Sequence, residues 1–326
     1  LLSPPTEAIS AKPNSSPVRR LNRVAKPAVT TYVPLRAHSH YSFLDSTLSP
    51  QAIVNLAKQH GMPAVALTDT GNLHGAVEFV QAAQQAGIKP ILGVELSVGD
   101  KPLLLYVGSA RGYANLCRLL SRHAERTDSN GDEASVADQQ RRPYRIGEFD
   151  GFTDGLIAVS SNERLAEFFR GSFYRMVTAA NADSQAVACP AIHYAAPGDR
   201  QKYDIVQSIR TLTLLREEHP DKRTNGRLHF RSPTEMARGC KDNPDWLRLT
   251  HEIAQRCSFE LPFGKPQFPA YTPPDGSPPS AFLRQLVLQG LRDRYGNRAD
   301  KFRAQAMEEL GSINDVGYEG YFLITW

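Results

Sequence analysis

The stretch that decides the fold runs from Tyr32 to Leu96: YVPLRAHSHYSFLDSTLSPQAIVNLAKQHGMPAVALTDTGNLHGAVEFVQAAQQAGIKPILGVEL. Residues 32–37 read as a strand that runs into a polar loop carrying His38, His40 and Asp45. Residues 50–60 place apolar side chains at helical spacing and are closed by Gly61. The apolar run 64–67 ends in Thr68-Asp69. A second helix over residues 73–86 stops at Gly87, and the apolar run 90–94 ends at Glu95. Strand, loop and helix therefore alternate, with histidines and carboxylates at the C-terminal ends of the strands. In a parallel barrel that is the face where ligands and metals gather. The pattern predicts an α/β fold.

Outward from this stretch, residues 102–107 (PLLLYV) and 155–160 (GLIAVS) read as strands, and residues 112–123 as a helix. Residues 124–150 are polar and read as a long exposed loop. Helices are expected near 163–169 and 173–180, and a strand over 186–191 leads to Ile192-His193-Tyr194. A helix capped by Asp199 spans 200–212, and a polar loop covers 216–227. Ser232-Pro233-Thr234-Glu235 has the form of a capping box that opens another helix, and residues 245–257 form the next. The Pro/Gly-rich connector 259–279 precedes helices over 280–295 and 299–316.

The 326 residues fit two domains, and 41% apolar residues supply a sizeable core. Mean hydropathy is −0.40, and no apolar run approaches the roughly 20 residues of a membrane span. The sequence predicts no membrane association. Residues 1–30 are rich in Pro and Ser, with Arg19, Arg20, Arg23 and Lys26, and read as a disordered, solvated basic arm. Four cysteines without a CxxC pair fit reduced thiols in a cytoplasmic protein. The net charge of +4 does not by itself argue for nucleic acid. The final GYEGYFLITW is apolar and uncapped, so more chain is expected after Trp326. No GxxxxGK[ST] or GxGxxG run is present, which leaves nucleotide binding through a phosphate loop unsupported.

The segments LRAHSHYSFLDS, LTDTGNLHGAVEF, AGIKPILGVEL, GYANLCRLLS and AIHYAAPGDRQKYDIVQSIRT, in this order, resemble the N-terminal PHP (polymerase and histidinol phosphatase) domain of bacterial C-family DNA polymerases. These are the replicative polymerase III alpha subunit and its error-prone relative. FRSPTEMA, EIAQRCSFEL and GYEGYFLITW resemble the entry into that family's polymerase module. The resemblance implies a distorted (β/α)7 PHP barrel followed by a mainly helical segment. It divides the chain into an arm (1–30), a degenerate PHP domain (31–262) and the truncated start of the palm and thumb region (263–326). Both branches of the family share these motifs. Phe43-Leu44-Asp45 and the short segment between Arg170 and Val187 lean towards the error-prone branch or a divergent lineage.

Working PHP sites bind up to three metal ions through His, Asp, Glu and Cys, and clustered metals activate water for phosphoester hydrolysis. Against that pattern this sequence has lost ligands. Aligned on Asp45, the family's HxH falls on Arg36 and His38, and a guanidinium cannot ligate a cation. Thr70, Pro102 and Ile192 stand where the family carries other ligands. His38, Asp45, Glu95 and His193 survive, with His40 displaced, as residual candidates for a single Zn or Mn ion. The resemblance thus implies a structural scaffold with a decayed metal site. The alternative is a metal-dependent PHP phosphoesterase, acting as a 3′–5′ proofreading exonuclease or a pyrophosphatase. Asp69 reads as an acceptor of loop N–H bonds, and His74 as a surface residue. The polymerase aspartates, which use Mg, fall beyond Trp326 in relatives, so no catalytic residue is assigned. The resemblance further implies DNA and dNTPs as ligands of the whole protein, and a proofreading exonuclease subunit as a partner. Arg141, Arg142 and Arg145 are candidates for contact with the DNA backbone. The basic residues of 284–303 read as a solvated helix face.

Overall fold

The computed structural model describes residues 32–128, 140–178, 185–224, 226–264 and 270–326, and the arm lies outside them. The chain divides into two units, Leu1–Leu261 and Pro262–Trp326. In the first, α1 (Pro50–Gln59), β1 (Ala64–Thr70), α2 (Ala76–Ala86), β2 (Lys89–Val98), β3 (Lys101–Val107) and α3 (Ala110–Asp128) follow one another. Then come β4 (Leu156–Ser160), β5 (Phe173–Met176), β6 (Ala186–Val187), α4 (Arg200–Thr211), α5 (Pro233–Gly239) and α6 (Asp245–Arg256).

The six strands form one sheet in chain order. β1 and β2 are parallel, as are β4, β5 and β6, whereas β3 runs antiparallel to both neighbours. The α/β barrel class holds, but a regular parallel alternation does not. The reversal arises at Gly99-Asp100: Val98 pairs with Lys101, and Gly99 takes the positive φ of 66° that a two-residue hairpin turn requires. Residues 32–37 form no regular strand. They bridge β1 and the last part of the wall by single bonds, Ala66 N–H and Thr68 N–H to the carbonyls of Pro34 and Ala37 (2.9 and 2.8 Å), and Ile192 N–H to the Arg36 carbonyl (2.9 Å). Pro34 interrupts the ladder here, since it has no N–H to give.

Alternation along the strands separates two apolar faces. Leu67, Leu92, Val94, Leu105 and Ala158 face the helices. Ala66, Ile91, Leu104, Tyr106, Ile157 and Val159 fill the barrel, where Leu249 and Ile253 of α6 join them. A Cβ on Gly93 would lie 2.6 Å from the Leu105 carbonyl oxygen and 3.0 Å from the Tyr106 ring. The missing side chain leaves room for that ring, whose hydroxyl donates to the Leu35 carbonyl at 2.9 Å.

Other expectations are corrected locally. Residues 173–176 are a strand rather than the start of a helix, and 163–167 form a 3-10 turn. The loop expected over 124–150 is not wholly exposed: α3 runs on to Asp128, and Tyr144 and Phe149 are buried. Asp199 accepts from Ala196 N–H rather than capping α4 (3.1 Å). Ser232 caps α5 by accepting Glu235 N–H at 3.1 Å. The Glu235 carboxylate turns to His229 instead of completing the box. All four thiols are free, and burial pushes those of Cys189 and Cys257 up to about 12.

The second unit holds α7 (Pro279–Tyr295), α8 (Asp300–Val316) and α9 (Glu319–Thr325), packed on Leu283, Leu310 and Leu323. The sequence pattern did not anticipate α9. No helix among the described residues is long and apolar enough to cross a membrane.

Candidate functional site at the barrel mouth

Four elements bring the surviving polar residues together. Glu95 lies on β2 opposite Thr70 of β1, and parity with Ile91 points it into the barrel. Arg36 and His38 arrive on the irregular segment before α1. His193 follows Ile192, whose carbonyl accepts His38 N–H at 3.0 Å. Asp45 sits at the end of a turn in which Leu44 takes φ 53°. His38, Asp45 and His193 are fully buried, and Glu95 nearly so.

Arg36 grips Glu95 with two charge-assisted bonds, Nε to Oε2 and Nη2 to Oε1, both 2.6 Å. His38 Nε2 lies 3.0 Å from Oε2 of the same carboxylate. Burial opposes ionisation of Glu95, but Arg36 and His38 outweigh it and hold its carboxyl well below the usual range. The His38 and His193 rings stack, with centroids 4.4 Å apart and planes within 3°.

Asp45 is clamped by three side chains from distant parts of the chain. Oδ1 accepts the Tyr203 hydroxyl at 3.0 Å. Oδ2 forms ion pairs with Arg141 at 3.0 Å and Arg223 at 3.2 Å. Burial disfavours this carboxylate too, yet the surrounding His193, Arg223, Arg141 and His38 keep its pKa below normal. His193 donates from Nδ1 to the Asp45 carbonyl at 2.5 Å and accepts from Arg223 at Nε2. Burial drives its own pKa well below the usual imidazole value. The Nδ1–H of His193 thus goes to the Asp45 carbonyl, and Arg141 and Arg223 stand beside the Asp45 carboxylate.

This donor set does not fit a metal ion. Both oxygens of Glu95 and of Asp45, and both nitrogens of His193, already have partners. Three guanidiniums stand where cations would have to sit. Among the described residues, no group of three or more His, Cys, Asp or Glu could hold a metal.

The remaining expected positions fall elsewhere. His40 is exposed, against the Tyr41 ring at 4.7 Å, and does not join the cluster. Thr70 gives its N–H to Ser42 at 3.0 Å. Pro102 pairs with Ser97, and its carbonyl accepts the Ser160 hydroxyl at 2.7 Å. Ile192 is a buried wall residue bridged to Ala37. Asp69 accepts the N–H and hydroxyl of Ser39 and the hydroxyl of Ser42, each at 2.7 Å, which organises the loop below the site. His74 is exposed. Arg141 is not presented to a duplex, because Asp45 holds it at the mouth. Arg142 is half-buried and has partners of its own. Arg145 alone of the three is exposed.

Arg223 and Tyr203 were missed by sequence reasoning. Arg223 sits in a polar loop with no motif, and Tyr203 reads as one more apolar position of α4. The one available signal is physical: a buried aspartate demands counter-charge.

The fold and this mouth define an α/β barrel domain whose strand-end face is filled by arginine. Residues 34–188 match the model of the PHP domain. Curated relatives are bacterial replicative and error-prone polymerases. An error-prone DNA polymerase of Symbiobacterium thermophilum is 31% identical over 91% of this chain and 31% of its own length. A DNA polymerase III subunit alpha of Halalkalibacterium halodurans is 30% identical over 90% of this chain and 29% of its own. The chain thus spans about a third of the length of these relatives, and the similarity covers both of its units. Among solved structures, an amidohydrolase from Chromobacterium violaceum aligns at 16% identity and TM-score 0.32, over 56% of this chain and 84% of that one.

Proposed function

We propose that this chain is the PHP-bearing portion of a bacterial DNA polymerase, acting in replication or repair synthesis, and that its barrel is a scaffold without hydrolytic activity. The polymerase assignment is supported by relatives of both types over about 90% of the chain. The scaffold assignment rests on one observation, the bidentate grip of Arg36 on Glu95. A carboxylate bound in this way spends one lone pair of each oxygen on a fixed cation that repels a second one, and a guanidinium can neither ligate a cation nor activate water. On this reading DNA, dNTPs and Mg²⁺ are bound by the polymerase portion of the whole protein, which is cytoplasmic. The barrel braces that portion and offers a face to a proofreading exonuclease subunit, and it uses neither Zn nor Mn.

The test is metal analysis of the purified chain, with a phosphoesterase assay in added Mn²⁺ or Zn²⁺ beside a His38→Ala control. The expected result is metal well below one equivalent and no turnover above the control. Two or more bound metals, with turnover abolished by His38→Ala, would make the barrel a hydrolase instead.

A further inference from the structure

α4 has two faces with different uses. Tyr203 and Gln207 point inward, where the Tyr203 hydroxyl donates to Asp45 at 3.0 Å and Gln207 Oε1 accepts Arg223 N–H at 2.6 Å. On the opposite side, Ile205, Ile209 and Leu212 follow at intervals of four and three residues, the spacing of one helix face. All three are exposed, and so are Leu214 and Leu215 just beyond the helix. The five side chains present on the order of 500 Å² of apolar surface, the upper end of what a monomer leaves in one patch, and a patch of that size marks an interaction site.

This surface is preformed. Thr213 N–H bonds to the Ser208 carbonyl at 3.1 Å, and Leu214 N–H to Glu217 Oε2 at 3.1 Å. The buried Lys222 donates to the carbonyls of Leu214 and Glu217, both at 2.7 Å. Leu212 stands at φ 53°, a left-handed backbone that suits glycine, while its side chain buries almost nothing within the chain. A leucine held in strained backbone without burial points to a use outside the chain.

The charges around the patch indicate what covers it. Residues 199–221 carry five carboxylates and four Lys or Arg side chains. Arg200 pairs with Asp204 and Lys202 with Asp199 inside this set, each at 2.8 Å. So nearly neutral a rim offers no complement to a nucleic acid or to a strongly charged protein. It does complement a rim of the same composition.

We propose that this face of α4 binds a second copy of the chain about a two-fold axis. Antiparallel packing with the axis at Ile209 sets Ile205 of each copy against Leu212 of the other, so one patch serves both. Two such patches bury about 1,000 Å² together, the lower bound of a specific interface. Because Tyr203 and Gln207 lie on the other side of the helix, the barrel mouth stays outside the contact.

Sedimentation of the full 326-residue chain between about 1 and about 200 μM tests this. The expected result is a reversible monomer–dimer equilibrium with Kd on the order of 10 μM, ordinary for a small transient interface. Ile209→Glu places two carboxylates at the axis and should raise Kd at least about tenfold. Leu212→Gly should raise it about tenfold as well, without lowering the melting temperature of the dilute monomer, which separates a lost interface from a lost fold. Val77→Glu, at an exposed apolar position of α2, should leave Kd unchanged. A chain that stays monomeric throughout would assign the face to a different protein and overturn the proposal. So would a dimer that survives Ile209→Glu.

Discussion

Glu95 stays ionised inside the barrel because Arg36 takes both its oxygens, and each group would be prohibitive to bury alone. Arg36→Met leaves a carboxylate in an apolar surrounding and should cost about 3–5 kcal/mol, the usual loss when one partner of a buried pair is removed. Arg36→Met with Glu95→Met removes both charges and should cost much less. Urea unfolding of the two single variants and the double one measures this. A double variant as unstable as Arg36→Met would mean that the loss is one of packing, not of charge. Acid should act through the same residues. Glu95, Asp45 and His193 all have folded pKa values below their unfolded ones, so the unfolded chain binds more protons and stability rises with pH. The contribution of His193 is complete above about 6.5 and those of the carboxylates above about 4, their ordinary values. Each is lost as pH falls towards the folded values. The urea midpoint should therefore drop steadily from pH 7 to pH 4, and a flat or rising profile would refute the charge assignments. At this scale sequence reading reached His38, Asp45, Glu95 and His193, since they sit in quotable motifs. It read Arg36 as a lost ligand without seeing that the same residue would neutralise Glu95. Arg141 was taken for a nucleic-acid contact because a charge in a polar loop shows no destination until the fold brings Asp45 to it.

Elements were legible where periodicity and capping agreed. α1 begins at Pro50, where the apolar spacing placed it, and the Ser49 side chain, which the sequence reading did not single out, caps it by accepting Ala52 N–H at 3.1 Å. The direction of β3 was legible in principle but was passed over: Gly99-Asp100 between two apolar runs is a hairpin signal, and the expectation of a parallel barrel masked it. Residues 173–176 were taken for helix because a four-residue strand is too short to show its period. Two element-scale predictions follow from backbone geometry. Leu212 ends α4 in the left-handed region at φ 53° and is 92% exposed. Leu212→Gly relieves that strain and gives up almost no burial, so it should raise stability by about 0.5–1 kcal/mol, read as a higher melting temperature. A lower one would show that the leucine side chain has a contact. Gly93→Ala places a methyl against the Leu105 carbonyl and the Tyr106 ring. Overpacking of that kind costs about 1–3 kcal/mol. An alanine variant with unchanged urea midpoint would mean the strands can part there.

At the scale of the whole molecule, the two units differ in what they can bury. The first has two apolar cores, one inside the barrel and one beneath its helices, and a buried ion-pair cluster that fixes the mouth. Among the described residues the second has a core of three buried leucines, while Tyr321, Phe322, Ile324 and Trp326 remain substantially exposed. Below about 70 residues a single small core rarely outweighs chain entropy. A piece covering residues 32–261 should accordingly melt cooperatively by itself, with near-UV circular dichroism from its packed tyrosines. A piece covering 262–326 should give at most helical far-UV signal, no fixed aromatic signal and no sharp transition. The reverse outcome, a cooperative second unit beside an uncooperative barrel, would mean that the barrel draws its stability from the helices after the Pro-rich connector. The arginine-filled mouth would then be an inadequate replacement for metal ions in holding the barrel together.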